Sequence, residues 1–131
     1  MSYDPQRVGH YGKLVELWAE RNYPLELEYP MVDGLRFDAV DDRGRPWDIK
    51  GTMLNGVRPT FKFWKDQHDT LAAEDGGYAL VWYRARENSI AVEDSRTIKA
   101  RNIRIDNWTN PGATHHRSHT KEAQVPAHEL R

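Results

Sequence analysis

The stretch Leu35-Arg36-Phe37-Asp38-Ala39-Val40-Asp41-Asp42-Arg43-Gly44-Arg45-Pro46-Trp47-Asp48-Ile49-Lys50-Gly51-Thr52 places two short runs on either side of Asp42-Arg43-Gly44. A three-residue connection with Gly where left-handed backbone is needed predicts a β-hairpin, with strands over 35–40 and 46–52. That loop fixes the register. Asp41 faces Arg45, Val40 faces Pro46, and Asp38 lies directly across from Asp48. Because side chains alternate with period two, Arg36, Asp38 and Val40 share one face with Asp48, Lys50 and Thr52. Leu35, Phe37, Trp47 and Ile49 take the other face, toward a core.

Two carboxylates facing each other across a hairpin repel, so a compensating positive charge is expected between them. A divalent cation fits that need. Mg²⁺ prefers hard oxygen ligands, takes one or two carboxylates and leaves its other positions to waters and substrate phosphate. Asp38 and Asp48 would supply the carboxylates, and the Ile49 main-chain carbonyl can reach the same ion. Lys50, on the same face, can hold the attacking water or stabilise negative charge growing on a phosphate. The expected reaction is in-line hydrolysis of a phosphodiester by metal-activated water. A bare Asp/Glu-x-Lys triplet arises by chance about once in a chain of this composition. The upstream Asp, the in-register pairing, a helix that follows and basic flanks are what raise it above chance. The plain alternative is an exposed hairpin whose charges are solvated.

Outward from the hairpin, Tyr11, Leu14, Val15 and Trp18 recur at the spacing of one helix face, predicting a first helix over 10–22 that Tyr23-Pro24 ends. Leu25-Glu26-Leu27-Glu28-Tyr29 alternates as a half-exposed strand does, up to Pro30, and Asp33-Gly34 turns the chain. After the hairpin, 53–60 reads as a loop with Asn55-Gly56 and Pro59 as breakers. Thr60 is placed to cap a second helix over 61–74, with Phe61, Trp64, His68, Leu71 and Ala72 as its stripe and Gly76-Gly77 as its stop. The nearly continuous apolar run 78–85 predicts an interior strand covered on both faces, and 90–93 a further strand. Beyond Asp94 the pattern fades: Ile98, Ile103 and Ile105 suggest one short element, 107–112 a loop, and 113–131 is polar. The order helix, three-strand meander, helix, strand, strand predicts an α/β sandwich around a mixed sheet.

At 131 residues the chain is expected to form one domain over 1–131, with its core in about 10–94 and a peripheral segment over 95–131. A composition 38% hydrophobic and 30% charged, with five Trp and six Tyr, is enough to fold. There is no apolar run long enough to span a bilayer and no leader pattern, and Cys is absent, so a soluble cytoplasmic protein without membrane association is expected. The net charge of −1 hides two basic runs. One, from Arg43 to Lys65, carries six basic residues against Asp48 alone; the other, from Arg96 to Lys121, faces only Asp106. Arg58, Lys62, Lys65 and Arg101 are the candidate phosphate contacts. His115-His116-x-x-His119 has no Cys or obvious fourth ligand beside it and reads as a polar or phosphate-contacting segment with Arg117 and Lys121 rather than a zinc site. His68 reads as a hydrogen-bonded, part-buried histidine; Trp64, Trp82 and Trp108 read as packing residues.

The stretch 12–83 resembles the PD-(D/E)xK nuclease superfamily, which includes restriction endonucleases, archaeal Holliday-junction resolvases and repair nucleases. Asp38 stands at the motif aspartate and Asp48-Ile49-Lys50 at the (D/E)xK. Gly12-Lys13-Leu14-Val15-Glu16 is similar to the Gly-x-x-x-Glu of the first helix in resolvase-like members, where the Glu reaches toward the metal. Gln67 is similar to a glutamine found after the motif in several branches. Phe37 stands where the name-giving Pro would be, and the motif acid is Asp where resolvases usually carry Glu. The resemblance implies a restriction-endonuclease-like three-layer α/β sandwich. It further implies a Mg²⁺- or Mn²⁺-dependent DNA endonuclease, with Asp38, Asp48, Lys50 and Glu16 as its catalytic set and Asp38, Asp48, Ile49 and Glu16 around the metal. A homodimer cutting branched DNA, as a Holliday-junction resolvase does, is the expectation closest to the pattern. A restriction- or repair-type nuclease and a non-catalytic nucleic-acid-binding module are the alternatives.

Overall fold

The computed structural model describes residues 5–131. Helix α1 (Pro5–Asn22) leads into β1 (Leu25–Glu26), a small hairpin β2 (Met31–Val32) and β3 (Leu35–Arg36), then β4 (Ala39–Asp41) and the long β5 (Pro46–Met53). There follow β6 (Thr60–Trp64), α2 (Lys65–Ala73), β7 (Gly77–Ala85), β8 (Ile90–Lys99) and β9 (Glu122–Pro126), with short 3-10 turns at Ala100–Asn102 and Ala127–Leu130. The main sheet has the order β1-β4-β5-β7-β8, antiparallel except for the parallel pair β5 and β7. That parallel pair is joined by a right-sized crossover through β6 and α2, as parallel neighbours require.

The layers follow from β7. Its run is buried on both faces: Ala79, Val81 and Tyr83 pack toward α1 with Tyr11, Val15 and Ala19, whereas Tyr78, Leu80 and Trp82 join Phe61, Phe63 and Leu71 on the other side. The fold is therefore the expected restriction-endonuclease-like α/β sandwich around a mixed sheet, with α1 on one face and α2 on the other. The hairpin register is also as expected, with Val40 opposite Pro46 and Ala39 opposite Trp47. Gly44 has φ of 76°, the left-handed value the loop demands.

Several local expectations are corrected. The strand predicted over 35–40 is broken at Phe37 and Asp38. Phe37 donates its N–H to the Pro30 carbonyl at 2.9 Å, and the Asp38 carbonyl accepts from Tyr29 at 3.2 Å. The break sends Phe37 into the cluster under α2, away from Trp47 and Ile49, which lie under α1. The strand predicted over 25–29 is only Leu25–Glu26, since Tyr29 takes a left-handed φ of 49°. The second helix starts at Lys65 rather than 61, and Thr60 is not its cap. Phe61 and Phe63 instead alternate inward along β6, which pairs antiparallel with β9, a partner about sixty positions away. The strand at 90 runs on to Lys99, and in the polar tail β9 and the buried Ala127 pack against the α2 side. Trp64 is half-buried rather than core, because on β6 it points away from the inward phenylalanines.

The close approach of α2's exit to β5 makes Gly76 irreplaceable. A Cβ there would lie 2.0 Å from the Pro46 carbonyl oxygen, which belongs to backbone and cannot swing aside. Gly76→Ala is therefore expected to lower unfolding free energy by about 2–3 kcal/mol in denaturant titrations. Gly12→Ala, in α1 with nothing within 4 Å of the new methyl, is expected to raise it by about 0.5–1 kcal/mol.

Candidate active site

Beside β5, the main sheet opens into a cleft of about 410 Å³ lined by Asp38, Asp48 and Lys50, with Glu16 from α1 and Gln67 from α2. Asp41 anchors the hairpin that carries the acids. Its carboxylate accepts hydrogen bonds from the Arg43 and Arg45 amides (2.9 and 3.0 Å), from Arg45 Nε (2.7 Å) and from Trp47 Nε1 (2.9 Å). Burial alone would raise its pKa, but the bonds from Trp47 and from Arg45 and Arg43 win and bring it down to about 2. With the loop held, Asp38 sits one step beyond the paired Ala39 and Trp47, against Asp48.

Asp38 Oδ2 accepts the Ile49 N–H at 2.7 Å, so the strand that bears Asp48 also grips the opposing carboxylate. That bond favours the charged form, yet it is outweighed. Burial, first, and then the neighbouring Asp48 push the Asp38 pKa up to about 8, and Glu16 adds a smaller push. Asp48 is itself buried, with 8% exposure, and the Lys50 ammonium lies 3.4 Å from its Oδ2. Lys50 Nζ also lies 5.5 Å from the Phe63 ring centre and 5.8 Å from that of Tyr78. The ammonium is thus held over aromatic faces in a part-dry pocket, where its field is screened less than at the surface.

Glu16 projects from α1 into the same cleft, and Tyr29 fixes it there. The Tyr29 hydroxyl donates to Glu16 Oε1 at 2.7 Å and accepts from Lys13 Nζ at 2.7 Å. The Arg36 guanidinium stacks 4.6 Å from the Tyr29 ring centre. Gln67 Nε2 donates to the Arg36 carbonyl at 3.3 Å. Ile49 is buried on the α1 side and contributes backbone to the site. Among the described residues no group of three or more His, Asp or Glu side chains converges tightly enough to cage a metal unaided. The donor set is two carboxylates with a third nearby, against one ammonium, in a buried setting. Those hard oxygen donors fit Mg²⁺, which needs only one or two carboxylates.

The four candidate phosphate contacts stand outside the cleft lining. Arg58 is exposed in the loop after β5. Lys62 pairs with Glu122 at 3.0 Å, Lys65 with Asp69 at 2.7 Å and Arg101 with Asp75 at 2.6 Å. The cleft instead holds Arg36, Arg117 and the Trp64 ring. Arg36 was legible, since period two puts it on the face of Asp38. Trp64 would have been found by following the two-residue alternation Phe61, Phe63 instead of a helical stripe. Tyr29 carries no local signal, because it depends on a left-handed turn; Arg117 falls in the segment read as polar or phosphate-contacting, but only a long-range loop brings it to the cleft. His68 is buried and hydrogen-bonded to the Tyr78 hydroxyl at 2.8 Å, as expected, and desolvation lowers its pKa. Burial likewise raises the pKa of Tyr78.

A family model describing the PD-(D/E)XK nuclease superfamily domain matches residues 1–130 of the chain. No curated protein and no solved structure matches it.

The raised pKa of Asp38 has a definite sign in stability. Between its ordinary 3.8 and about 8 the folded chain keeps a proton that the unfolded chain releases, so stability contributed by this group falls as pH rises through that window. Asp38→Asn keeps an acceptor for the Ile49 amide and cannot ionise. Thermal melts in EDTA from acid to mildly alkaline pH are expected to show a flatter profile for Asp38→Asn. At pH 8 its Tm should exceed the parent's by roughly 3 °C or more. A variant that melts below the parent at pH 8 would show that the acid pair is not strained.

Proposed function

The chain belongs to the PD-(D/E)XK nuclease superfamily and is a nuclease, and from that premise we propose a Mg²⁺- or Mn²⁺-dependent DNA endonuclease whose reaction centre is Asp38, Asp48 and Lys50. The observation that carries this reading is the burial of two opposed carboxylates in one cleft with a single ammonium beside them. An isolated pair of that kind costs stability, and a divalent cation removes the cost. Asp38 and Asp48 would hold the metal, with the Ile49 carbonyl and Glu16 completing the protein's share. When bound, such a cation supplies charge neutralisation at the phosphate and a water that ionises near neutral pH. Lys50, steadied by Asp48 and by the rings beneath it, orients the attacking water and offsets charge growing on the phosphate oxygens. Asp41 and the Ile49 amide fix the carboxylate positions, and Tyr29 keeps Glu16 turned inward. Arg58, Lys62, Lys65 and Arg101 serve as outlying phosphate contacts that change affinity and salt dependence more than sequence choice.

Glu16 in the same cleft as the two aspartates supports a resolvase-like member acting on branched DNA, such as a Holliday junction. A homodimer would present two such clefts to two strands related by a two-fold. A restriction- or repair-type enzyme of the same superfamily would prefer linear duplex. Four-way junctions, linear duplex, single strands and RNA, each incubated with Mg²⁺, Mn²⁺ or EDTA, separate these outcomes. Cleavage that persists in EDTA sinks the metal-dependent reading, and tight binding without cleavage points to a non-catalytic module.

Two substitutions resolve the roles within the site. Asp48→Asn is expected to lower cleavage by about a thousandfold and to abolish the rise in Tm that Mg²⁺ gives the parent. Lys50→Ala is expected to lower cleavage by about a hundred- to a thousandfold while keeping that Mg²⁺-dependent rise, because a residue that stabilises the transition state is not a ligand.

A further inference from the structure

Arg117 reaches the cleft from a part of the chain that has no share in the carboxylate and lysine pattern. It lies in the loop closed by the bridge between Thr109 and Glu122. The start of α2 pins that loop: the Lys65 amide donates to the Lys121 carbonyl at 2.8 Å, and the Asp66 amide to Thr120 Oγ1 at 3.2 Å. The Asp66 side chain takes Arg117 Nη2 at 2.6 Å and stands 3.7 Å from His119 Nε2. The Arg117 guanidinium rests 4.7 Å from the centre of the Trp64 ring. One edge of the cation is therefore clamped by a carboxylate and its plane is set by an indole, on a cleft wall shared with Asp38, Asp48 and Lys50.

The donor accounting points outward. Among the described residues Asp66 is the one hydrogen-bond partner of this guanidinium, at Nη2; Nε is buried without a partner, and Nη1 is unpartnered without being buried. Buried polar groups are almost always satisfied, so an arginine kept only to hold a loop would have its donors paired. The charges in the cleft lead the same way. Lys50 is committed to Asp48, which leaves Arg36, stacked on Tyr29, and Arg117 as the guanidinium groups of the lining. A nucleic-acid strand crossing the acid pair needs a further cation beside the reacting phosphate, and a guanidinium already fixed by a carboxylate and an indole can offer its remaining Nη1 donors to a phosphate oxygen.

We propose that Arg117, fixed by Asp66 and Trp64, is a phosphate-binding residue of the cleft, gripping the backbone of the bound strand from the wall built by β6, α2 and the C-terminal segment. The role rests on the nuclease reading above and adds to it a contact made by the tail.

The test uses the full chain and fluorescein-labelled single-stranded and duplex oligonucleotides. Binding is followed by anisotropy in Ca²⁺ and in EDTA between about 50 and 200 mM salt. Arg117→Ala and Arg117→Gln are expected to weaken binding about tenfold. Each should reduce the slope of log K against log salt by about 0.7 on single strands or 0.9 on duplex. Both should retain the Mg²⁺-dependent rise in Tm. The glutamine variant keeps a donor for Asp66, so it carries the test if the alanine variant unfolds. Arg104→Ala, on an exposed loop residue paired only with Asp106, is expected to change binding by less than about twofold. Folded Arg117 variants with the parent's affinity and slope overturn the proposal and leave the nuclease reading standing, as does an equal loss in Arg104→Ala. A parent that binds no nucleic acid under any of these conditions overturns both.

Discussion

One carboxylate outside the cleft, Asp41, governs the geometry inside it. Four hydrogen bonds converge on its two oxygens from the loop tip and from the first residues of β5, so the two strands of the hairpin cannot slip. A slip of one residue would turn Asp48 and Lys50 to the α1 face and bury them among Tyr11, Val15 and Ala19. Hydrogen bonds that bring one carboxyl down to about 2 hold down a structure in which another acid is shifted up to about 8. Strain at Asp38 is thus stored by stabilisation at Asp41, three residues away.

The same bookkeeping of burial explains why the cleft opens where it does. From Tyr78 to Tyr83, β7 fills both faces of the sheet with apolar side chains and leaves no room there for a charged group. On β5, Trp47 and Ile49 satisfy the α1 face, and the alternate positions receive Asp48 and Lys50 next to Phe63 and Tyr78. The break at Phe37 and Asp38 then removes the neighbouring strand from the sheet at the level of Asp48. Phe37 drops into the lower cluster, β2 and β3 peel away as a separate hairpin, and Tyr29 comes in beside Glu16. A continuous strand over 35–40 would have closed the space that the cleft occupies.

The second helix shows how a local pattern is ambiguous until a partner is found. Phe61, Trp64, His68 and Leu71 fit a helical stripe, and Phe61 and Phe63 alternating with Lys62 and Trp64 fit a strand. Both periods start from Phe61 and share Trp64. β9 decides between them, since Glu122–Pro126 offers β6 a full antiparallel ladder and the inward phenylalanines a closed cluster. The consequence reaches the site: with β6 as a strand, Trp64 faces the cleft, and the loop before β9 brings Arg117 onto its ring.

Sequence alone determined the elements whose causes are local. The period of α1, the left-handed Gly44, the register that sets Asp38 against Asp48, the doubly buried run of β7 and the alternation that puts Lys50 beside Asp48 all arise within a few residues of one another. Tertiary structure decided everything that needs a distant partner or a broken repeat. The kink at Phe37, the left-handed Tyr29 that holds Glu16, the pairing of β6 with β9 and the arrival of Arg117 at the cleft each depend on contacts between segments far apart in the chain. Those contacts are set by burial and hydrogen-bond satisfaction over the whole molecule, a quantity that no short window of sequence contains.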